Sequence, residues 1–292
     1  MGWWQYPSPN PLPQGGEGEE KTLSPWGRGL GEGVRRATLL LVALLALTAA
    51  APQPQHTPLA ATPISRMDLH WWRVRHEAVL DRIRHGKVDL IWLGDSITQD
   101  WEHKGPQDWA DFQPVWNRFY GDRNAVNMGF RGDTTSSLLW RIRNGEVDGI
   151  APKAAIILIG ANNLGRLHWS AEDTVAGIEA IVAELRRRLP HTRLLLLSVL
   201  PSGRSAWTSE TTVTINRMLA ARFDHADDVS FVDVTRVFMK DGRLDRSLFL
   251  DPLLKPPDPP LHPTAQGQEK MATAIEPTLA RLMGDRDHAA PH

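Results

Sequence analysis

Val88-Asp89-Leu90-Ile91-Trp92-Leu93-Gly94-Asp95-Ser96-Ile97-Thr98 is an apolar run that breaks abruptly into Gly-Asp-Ser. A run of this length, bounded by a glycine, is what a central parallel strand needs when helices cover both faces of its sheet. The polar break then sits at the strand's C-terminal end. Open α/β sheets bind their ligands at that end, so Ser96 is a candidate nucleophile at a helix N-terminus. Taken alone, the tripeptide is more often a helix cap than a catalytic site. What the rest of the chain places beside it decides between the two.

The same pattern repeats downstream. A short strand at 124–127 ends in Met128-Gly129-Phe130-Arg131-Gly132-Asp133-Thr134-Thr135, and Ala154-Ala155-Ile156-Ile157-Leu158-Ile159 runs straight into Gly160-Ala161-Asn162-Asn163. Further strands are expected at 194–199 and 230–234. Between them the spacing predicts helices: one from Met67 through Trp71, Trp72, Val79, Leu80 and Ile83, and others at 107–119, 134–143 and 210–223. Another is capped by Ser170 with Asp173 and carries Val175, Ile178, Ile181, Val182 and Leu185 at helical spacing; a last one covers 263–282, with a kink expected at Pro277. Five short strands alternating with helices give an α/β, doubly wound, flavodoxin-like three-layer fold with a five-stranded parallel sheet, order 2-1-3-4-5.

The flanks differ in character. Residues 1–33 are rich in Gly, Pro, Glu and Ser and carry no hydrophobic period, so they are expected to be disordered. Residues 34–51 combine Arg35 and Arg36, an apolar run and small residues suited to cleavage, which reads as a secretory signal peptide. The run falls short of the roughly 20 residues of a spanning helix, so no stable membrane span is expected. The protein is then secreted or periplasmic, with a mature N-terminus between Ala50 and Gln53. A signal peptide is read from a true N-terminus, which makes Val34 a candidate initiator and residues 1–33 a stretch that is not translated. A Pro- and Ala-rich linker is expected at 52–66, the folded domain at 67–284 and a disordered tail at 285–292.

A net charge of −1 without long basic runs lacks the electrostatic footprint of a nucleic-acid binder, and the absence of cysteine excludes disulfides, thiolate chemistry and zinc-thiolate sites. No metal-ligand spacing and no phosphate-binding fingerprint occurs, so no cofactor is expected. Twelve tryptophans are read first as core packing.

The polar breaks carry the chemistry. Gly-Asp-Ser after the first strand, Gly-Asp-Thr after the second, Gly-Ala-Asn after the third and His262 after the fifth all lie at one sheet edge, because the fold gathers the C-terminal ends of its strands at a common crevice. A serine, backbone N–H donors, an amide and a histidine are the parts that acyl transfer requires. With Ser96, Gly132, Asn162 and His262 in this order, the sequence resembles the SGNH hydrolases, also called GDSL esterases and lipases, over roughly residues 67–284. Within that family, Asn127 to Thr135, then Leu139-Trp140-Arg141, Asn144-Gly145-Glu146 and Asn162-Asn163, are most similar to the catalytic subunits of intracellular platelet-activating factor acetylhydrolase.

The resemblance implies the roles. Ser96 attacks the ester carbonyl, His262 is its general base, and the N–H groups of Ser96 and Gly132 with the side chain of Asn162 form the oxyanion hole. The family's aspartate lies three residues before the histidine, where this chain has Pro259; the nearest is Asp258, four before. Asp258 is the expected partner of His262, with Asp251 from farther away or a backbone carbonyl as alternatives. Ile97, Ala161 and Leu261 match the positions that close a small acyl pocket. The expected activity is therefore hydrolysis of a short, acetyl-type ester of a small-molecule, carbohydrate or lipid alcohol, and the resemblance also allows a homodimer. An acyltransferase or an inactive binding protein on the same scaffold are the competing functions; an α/β-hydrolase is disfavoured because no Gly-x-Ser-x-Gly elbow occurs. Asp95, Asp133 and Thr134 are read as helix caps or loop braces, His168 as a surface histidine, and Arg131 as either an anion contact or a solvated side chain.

Overall fold

The computed structural model describes residues 57–290 except 225 and 227. The expected leader, and everything else before residue 57, lies outside the described residues. The described region is built on five parallel strands, β1 (Leu90–Gly94), β2 (Ala125–Gly129), β3 (Ala154–Leu158), β4 (Arg193–Leu197) and β5 (Val229–Val232), in the order β2-β1-β3-β4-β5. This is the expected order, with β1 central and in register with both neighbours, Gly94 standing beside Gly129 on one side and Leu158 on the other.

Side chains alternate across a strand, so each central strand feeds two cores. Ile91, Leu93, Ala155, Ile157, Leu194 and Leu196 pack with helix α1 (His70–His85), α4 (Thr135–Arg141), α6 (Ala171–Arg188) and α7 (Ala206–Phe223). Leu90, Trp92, Ala154, Ile156, Leu195 and Leu197 face the opposite way, onto α3 (Gln113–Tyr120) and α8 (Ala265–Met283). Two shorter helices, α2 (Ser96–Gln99) and α5 (Ala161–Gly165), start directly after β1 and β3. Among the described residues, no helix is long and apolar enough to cross a membrane. Trp72, Trp92 and Trp101 are fully buried, as core packing requires, whereas Trp71 and Trp207 are exposed.

Local chemistry sets the helix starts. Ser170 accepts from the Asp173 N–H, Ser205 from Thr208 and Thr264 from Gly267, each leaving an extended cap residue before the first turn. The cap at Ser205 starts α7 four residues before the expected 210. The expected 107–119 helix is a 3-10 turn at Asp108–Ala110 followed by α3. The last helix continues through Pro277 to Met283.

The fold reaches past both expected boundaries. Where a linker was expected, Leu59–Ala61 forms a 3-10 turn, Ala60 is buried, its carbonyl accepts from Thr135 Oγ1 at 2.7 Å, and Ile64 N–H donates to the Ser136 carbonyl at 3.1 Å. A Cβ on Gly177 would lie 2.5 Å from the Ala60 carbonyl oxygen, so the glycine is what lets this strap lie against α6. At the other end, the expected tail from 285 is tied down as far as the described residues extend. Arg123, whose side chain is 1% exposed, holds Glu276 with both terminal nitrogens (2.8 and 2.7 Å) and Asp285 with Nε and Nη2 (2.9 and 2.8 Å). His288 donates its backbone N–H to the same Glu276 at 2.9 Å. Removing one partner of a buried ion pair leaves the other charge uncompensated, which costs about 3–5 kcal/mol. Arg123→Ala is therefore expected to lower the unfolding free energy by about 3 kcal/mol or more, read as a shifted urea midpoint, with loss of protection at 285–290 in hydrogen exchange.

Candidate active site

The nucleophile position is made by close approach. A Cβ on Gly94 would stand 2.1 Å from Thr98 Oγ1 and 2.5 Å from the Leu158 carbonyl, so the chain can turn from β1 into α2 against β3 only with glycine here. Asp95 caps the turn, its Oδ1 accepting from Ile97 N–H at 3.0 Å. Gln268 on α8 donates to the Ile97 carbonyl at 2.9 Å, fixing the first turn from the other side. Ser96, the first residue of that turn, is 7% exposed and donates from Oγ to His262 Nε2 at 2.9 Å.

His262 does not pair with Asp258. Its Nδ1 donates to Asp251 Oδ1 at 2.7 Å, and Asp251 Oδ2 accepts the backbone N–H groups of Leu261 (2.7 Å) and His262 (2.6 Å). The cause lies in the backbone. Residues 248–251 run antiparallel beside 262–264, with Leu250 N–H on the His262 carbonyl and Thr264 N–H on the Leu248 carbonyl, both at 2.8 Å, and a bridge between Phe249 and Pro263. The prolines from 256 to 260 form an excursion whose Asp258 is exposed and contributes its N–H to the Asp251 carbonyl. A sequence signal for this existed, since Asp251 directly follows the apolar Leu248-Phe249-Leu250; in the fold it is 5% exposed. Burial would push the Asp251 carboxyl up, but the hydrogen bond and charge of His262 outweigh it and hold it below the usual range. On His262, burial pulls the ring's pKa down; the bond to Asp251 and the charges of Asp100 and Asp251 outweigh that and set it above its ordinary value.

The donors expected to form an oxyanion hole lie in the loops after β1, β2 and β3. The N–H groups of Ser96 and Gly132 have no acceptor among the described residues. Gly132 has φ +71, a conformation that favours glycine, and it lies at the turn where Asp133 N–H closes on the Phe130 carbonyl at 3.1 Å. Asn162 is 5% exposed; its Nδ2 donates to the Asp133 carbonyl at 3.0 Å and makes only a 3.4 Å contact to Asp95 Oδ2. Asn163 braces the next loop, accepting from Thr135 N–H at 3.0 Å and donating to its Oγ1 at 2.8 Å.

Beneath these loops lies a network absent from the sequence expectations. Arg141, fully buried, donates to Asp133 Oδ2 (2.8 Å), to the Gly94 carbonyl (3.1 Å) and to Glu146. Trp72 Nε1 and Arg66 hold the other Asp133 oxygen at 2.8 and 2.9 Å, and His76 meets Glu146 at 2.8 Å. One side chain thus ties the strand before Ser96 to the loop that carries Gly132.

The remaining sequence candidates sort cleanly. Asp95 and Asp133 are caps and braces, as expected; burial pushes the Asp95 carboxyl up to about 7, against the Ile97 hydrogen bond and the nearby His262 and Arg204 charges. Thr134 hydrogen-bonds Ser136 Oγ at 2.7 Å. Arg131 is paired with Asp100 at 2.7 Å and contacts His103 at 2.9 Å. His168 is exposed and its ring lies tilted by 39° against that of Trp207, ring centroids 5.3 Å apart. Ile97 and Ala161 belong to one apolar cluster, with Leu261 packed against it. Among the described residues, no group of three or more acidic or histidine side chains could hold a metal ion.

Comparison with known proteins agrees with this geometry. Residues 92–270 match the model of the GDSL-like lipase/acylhydrolase family. The rat platelet-activating factor acetylhydrolase IB subunit alpha2 is 27% identical over 232 residues, 79% of this chain and 92% of that protein. Among solved structures, an acetylxylan esterase from Geobacillus stearothermophilus superposes with a TM-score of 0.51 at 18% identity, covering 71% of this chain and 99% of that one. A carbohydrate esterase family 3 protein from Talaromyces cellulolyticus gives 0.51 at 16% identity over 68% and 100%. With a family model matching more than half its length and the acyl-transfer parts at one sheet edge, this chain belongs to the GDSL-like lipase/acylhydrolase family and is a carboxylic ester hydrolase.

Proposed function

We propose that the protein is an exported serine esterase that removes short acyl groups, acetyl foremost, through an acyl-enzyme. The observation that carries this is the continuous relay from Ser96 Oγ to His262 Nε2 (2.9 Å) and from His262 Nδ1 to Asp251 (2.7 Å). His262 Nε2 takes the Ser96 proton as Oγ bonds to the ester carbonyl carbon. The oxyanion is received by the N–H groups of Ser96 and Gly132 and by the second Asn162 amide hydrogen, which has only a long contact to Asp95 to give up. Collapse breaks the bond to the alcohol oxygen, which leaves with the proton from His262. Water then attacks the acyl-enzyme by the same route, giving the acid and restoring Ser96.

The reading as an inactive binding protein rested on the spacing of Asp258. Asp251 supplies the carboxylate from another direction, which removes that ground. For the short acyl group, support comes from the acetylhydrolase name of the relatives and from Ile97 and Ala161, next in sequence to Ser96 and Asn162, sharing one apolar cluster against which Leu261 packs. For export, it comes from Arg35, Arg36 and the apolar run after them, and N-terminal sequencing of exported protein should read a start between Ala50 and Gln53.

Ser96→Ala is expected to abolish hydrolysis of 4-nitrophenyl acetate in a folded protein, and a fluorophosphonate probe to label Ser96 alone. Asp251→Asn should lower kcat by about 10⁴, the cost of favouring the wrong histidine tautomer, while Asp258→Asn loses less than about tenfold. The reverse ranking would return the role to Asp258. The pH profile checks the same pair. His262 must be neutral to accept the proton, so its raised pKa places the acid limb of kcat/KM above the ordinary 6.5, with activity lost as pH falls through it. The residual activity of Asp251→Asn should show that limb at lower pH, because the groups that raise the ring have been reduced. In an acyl-length series each methylene left outside the pocket forfeits roughly 0.8 kcal/mol, so kcat/KM should fall steeply beyond four carbons; octanoyl esters turned over as well as acetyl would refute the small pocket.

A further inference from the structure

Among the described residues nine large apolar side chains are exposed, and all nine stand at the end of the sheet where the strands finish and Ser96 lies. Exposed apolar residues scattered singly are ordinary; their confinement to one end is not. Leu59 and Ile64 lie in the strap held on the first turn of α4, through Ala60 to Thr135 and through the Ile64 N–H to Ser136. Trp71 and Val74 occupy the first turns of α1, which starts beside the ends of the strands: the next residue, Arg75, donates from Nε to the carbonyl of Gly129, the last residue of β2, at 2.6 Å. Leu167 follows α5 and Trp207 is the second residue of α7, the helices that begin after β3 and β4. Val213 and Met239 line one cavity with Pro201 and Asp233, which lie in the segments beyond β4 and β5. Leu253 comes two residues after Asp251.

The opposite end of the sheet differs in kind. There the last turns of α1 and α6 carry Arg82, Arg84 and His85, then Arg186, Arg187 and Arg188, and the α6 arginines are paired with Asp228 and Glu184.

The arrangement selects its partner. The apolar side chains come from six separate segments spread from the β2 side to the β5 side, with Ser96 on the central strand between them. A protein seated across that spread would close the crevice through which an ester has to enter, whereas a fluid lipid surface can be penetrated by scattered side chains and leaves the crevice supplied. Two of the nine are tryptophans, the side chain that settles at the boundary between headgroups and acyl chains. The exposed charges beside the apolar positions are of both signs. Asp68 and Arg73 flank Trp71, Glu210 follows Trp207, and Lys255 and Asp258 follow Leu253; none of them makes an ion pair with a described residue. That mixture complements a zwitterionic headgroup layer better than an anionic one.

We propose that this end of the molecule docks on a zwitterionic lipid surface, with the apolar side chains in the headgroup layer and the crevice opening onto it. The proposal rests on the esterase reading only for why the crevice faces the lipid, and docking is measured without turnover.

The chain has no cysteine, so single introduced cysteines report on chosen points. In the purified enzyme, an environment-sensitive fluorophore at Trp71→Cys, Leu167→Cys or Leu253→Cys is expected to shift to shorter wavelength when phosphatidylcholine vesicles are added, and the same label at Arg84→Cys or Arg187→Cys to stay unchanged. Co-sedimentation with the vesicles should fall at least tenfold in the double variant Leu167→Ser, Trp207→Ser, with kcat/KM for 4-nitrophenyl acetate unaltered, and should persist at high salt because apolar burial carries it. Absence of binding, equal shifts at both ends, or binding with the three labels silent would overturn the proposal. Binding confined to anionic vesicles and abolished by salt would overturn it too, in favour of the arginines at the opposite end. A shift of the three labels without vesicles, growing with protein concentration, would assign the surface to a second copy of the chain. Failure of the esterase reading would look different, as no turnover of 4-nitrophenyl acetate by wild type.

Discussion

The active edge depends on one buried cation. Arg141 is fully buried beneath the loops, and each of its bonds goes to backbone or carboxylate that must not move: the Gly94 carbonyl two residues before Ser96, Asp133 in the loop of Gly132, and Glu146 at the end of the helical turn that follows α4. Burying a guanidinium is costly, and it is tolerable here because two carboxylates and a carbonyl receive it. A fully satisfied polar network in low dielectric is stiff, since every member loses more when displaced than it would in water. That stiffness is what the proposed oxyanion hole needs, because donors that must reorganise during a reaction stabilise the oxyanion less. The aromatic ring of Phe130 lies 3.9 Å from the Arg141 guanidinium carbon and closes the remaining face.

The sheet, its order and the edge that carries the chemistry were legible in the sequence because they follow from simple periodicities. Apolar runs followed by Gly-Asp-Ser, Gly-Asp-Thr and Gly-Ala-Asn announce three strands and their ligand-binding ends together, and right-handed crossovers leave few layouts, of which 2-1-3-4-5 is the one observed. Less legible were features that depend on distant pairing. Asp251 and His262 are brought together by an antiparallel contact inside a proline-rich loop, and prolines hide such contacts because they give no strand period. The Arg141 network has the same character: an arginine in a helix reads as solvated surface until its partners, at 94, 133 and 146, are known to lie beneath it.

The ends of the domain were misjudged for a related reason. The segment at 59–64 and the residues after 284 look like linker and tail by composition, yet they are held by a few specific bonds, Ala60 to Thr135 and Asp285 to Arg123. Composition measures how much apolar surface a segment can bury. It does not register single hydrogen bonds or ion pairs to a preformed surface, and at chain ends those suffice.

The antiparallel clasp between 248–251 and 262–264 separates two tasks that many enzymes leave entangled. Asp251 and His262 are positioned by the two legs of a hairpin-like pinch, and of the ten residues between them only Asp258 and Leu261 add N–H groups to Asp251. Side chains from 252 to 257 can therefore change without touching the Asp251–His262 contact. A lineage could vary that excursion while the Asp251–His262 contact stayed fixed, and a designer could insert there first.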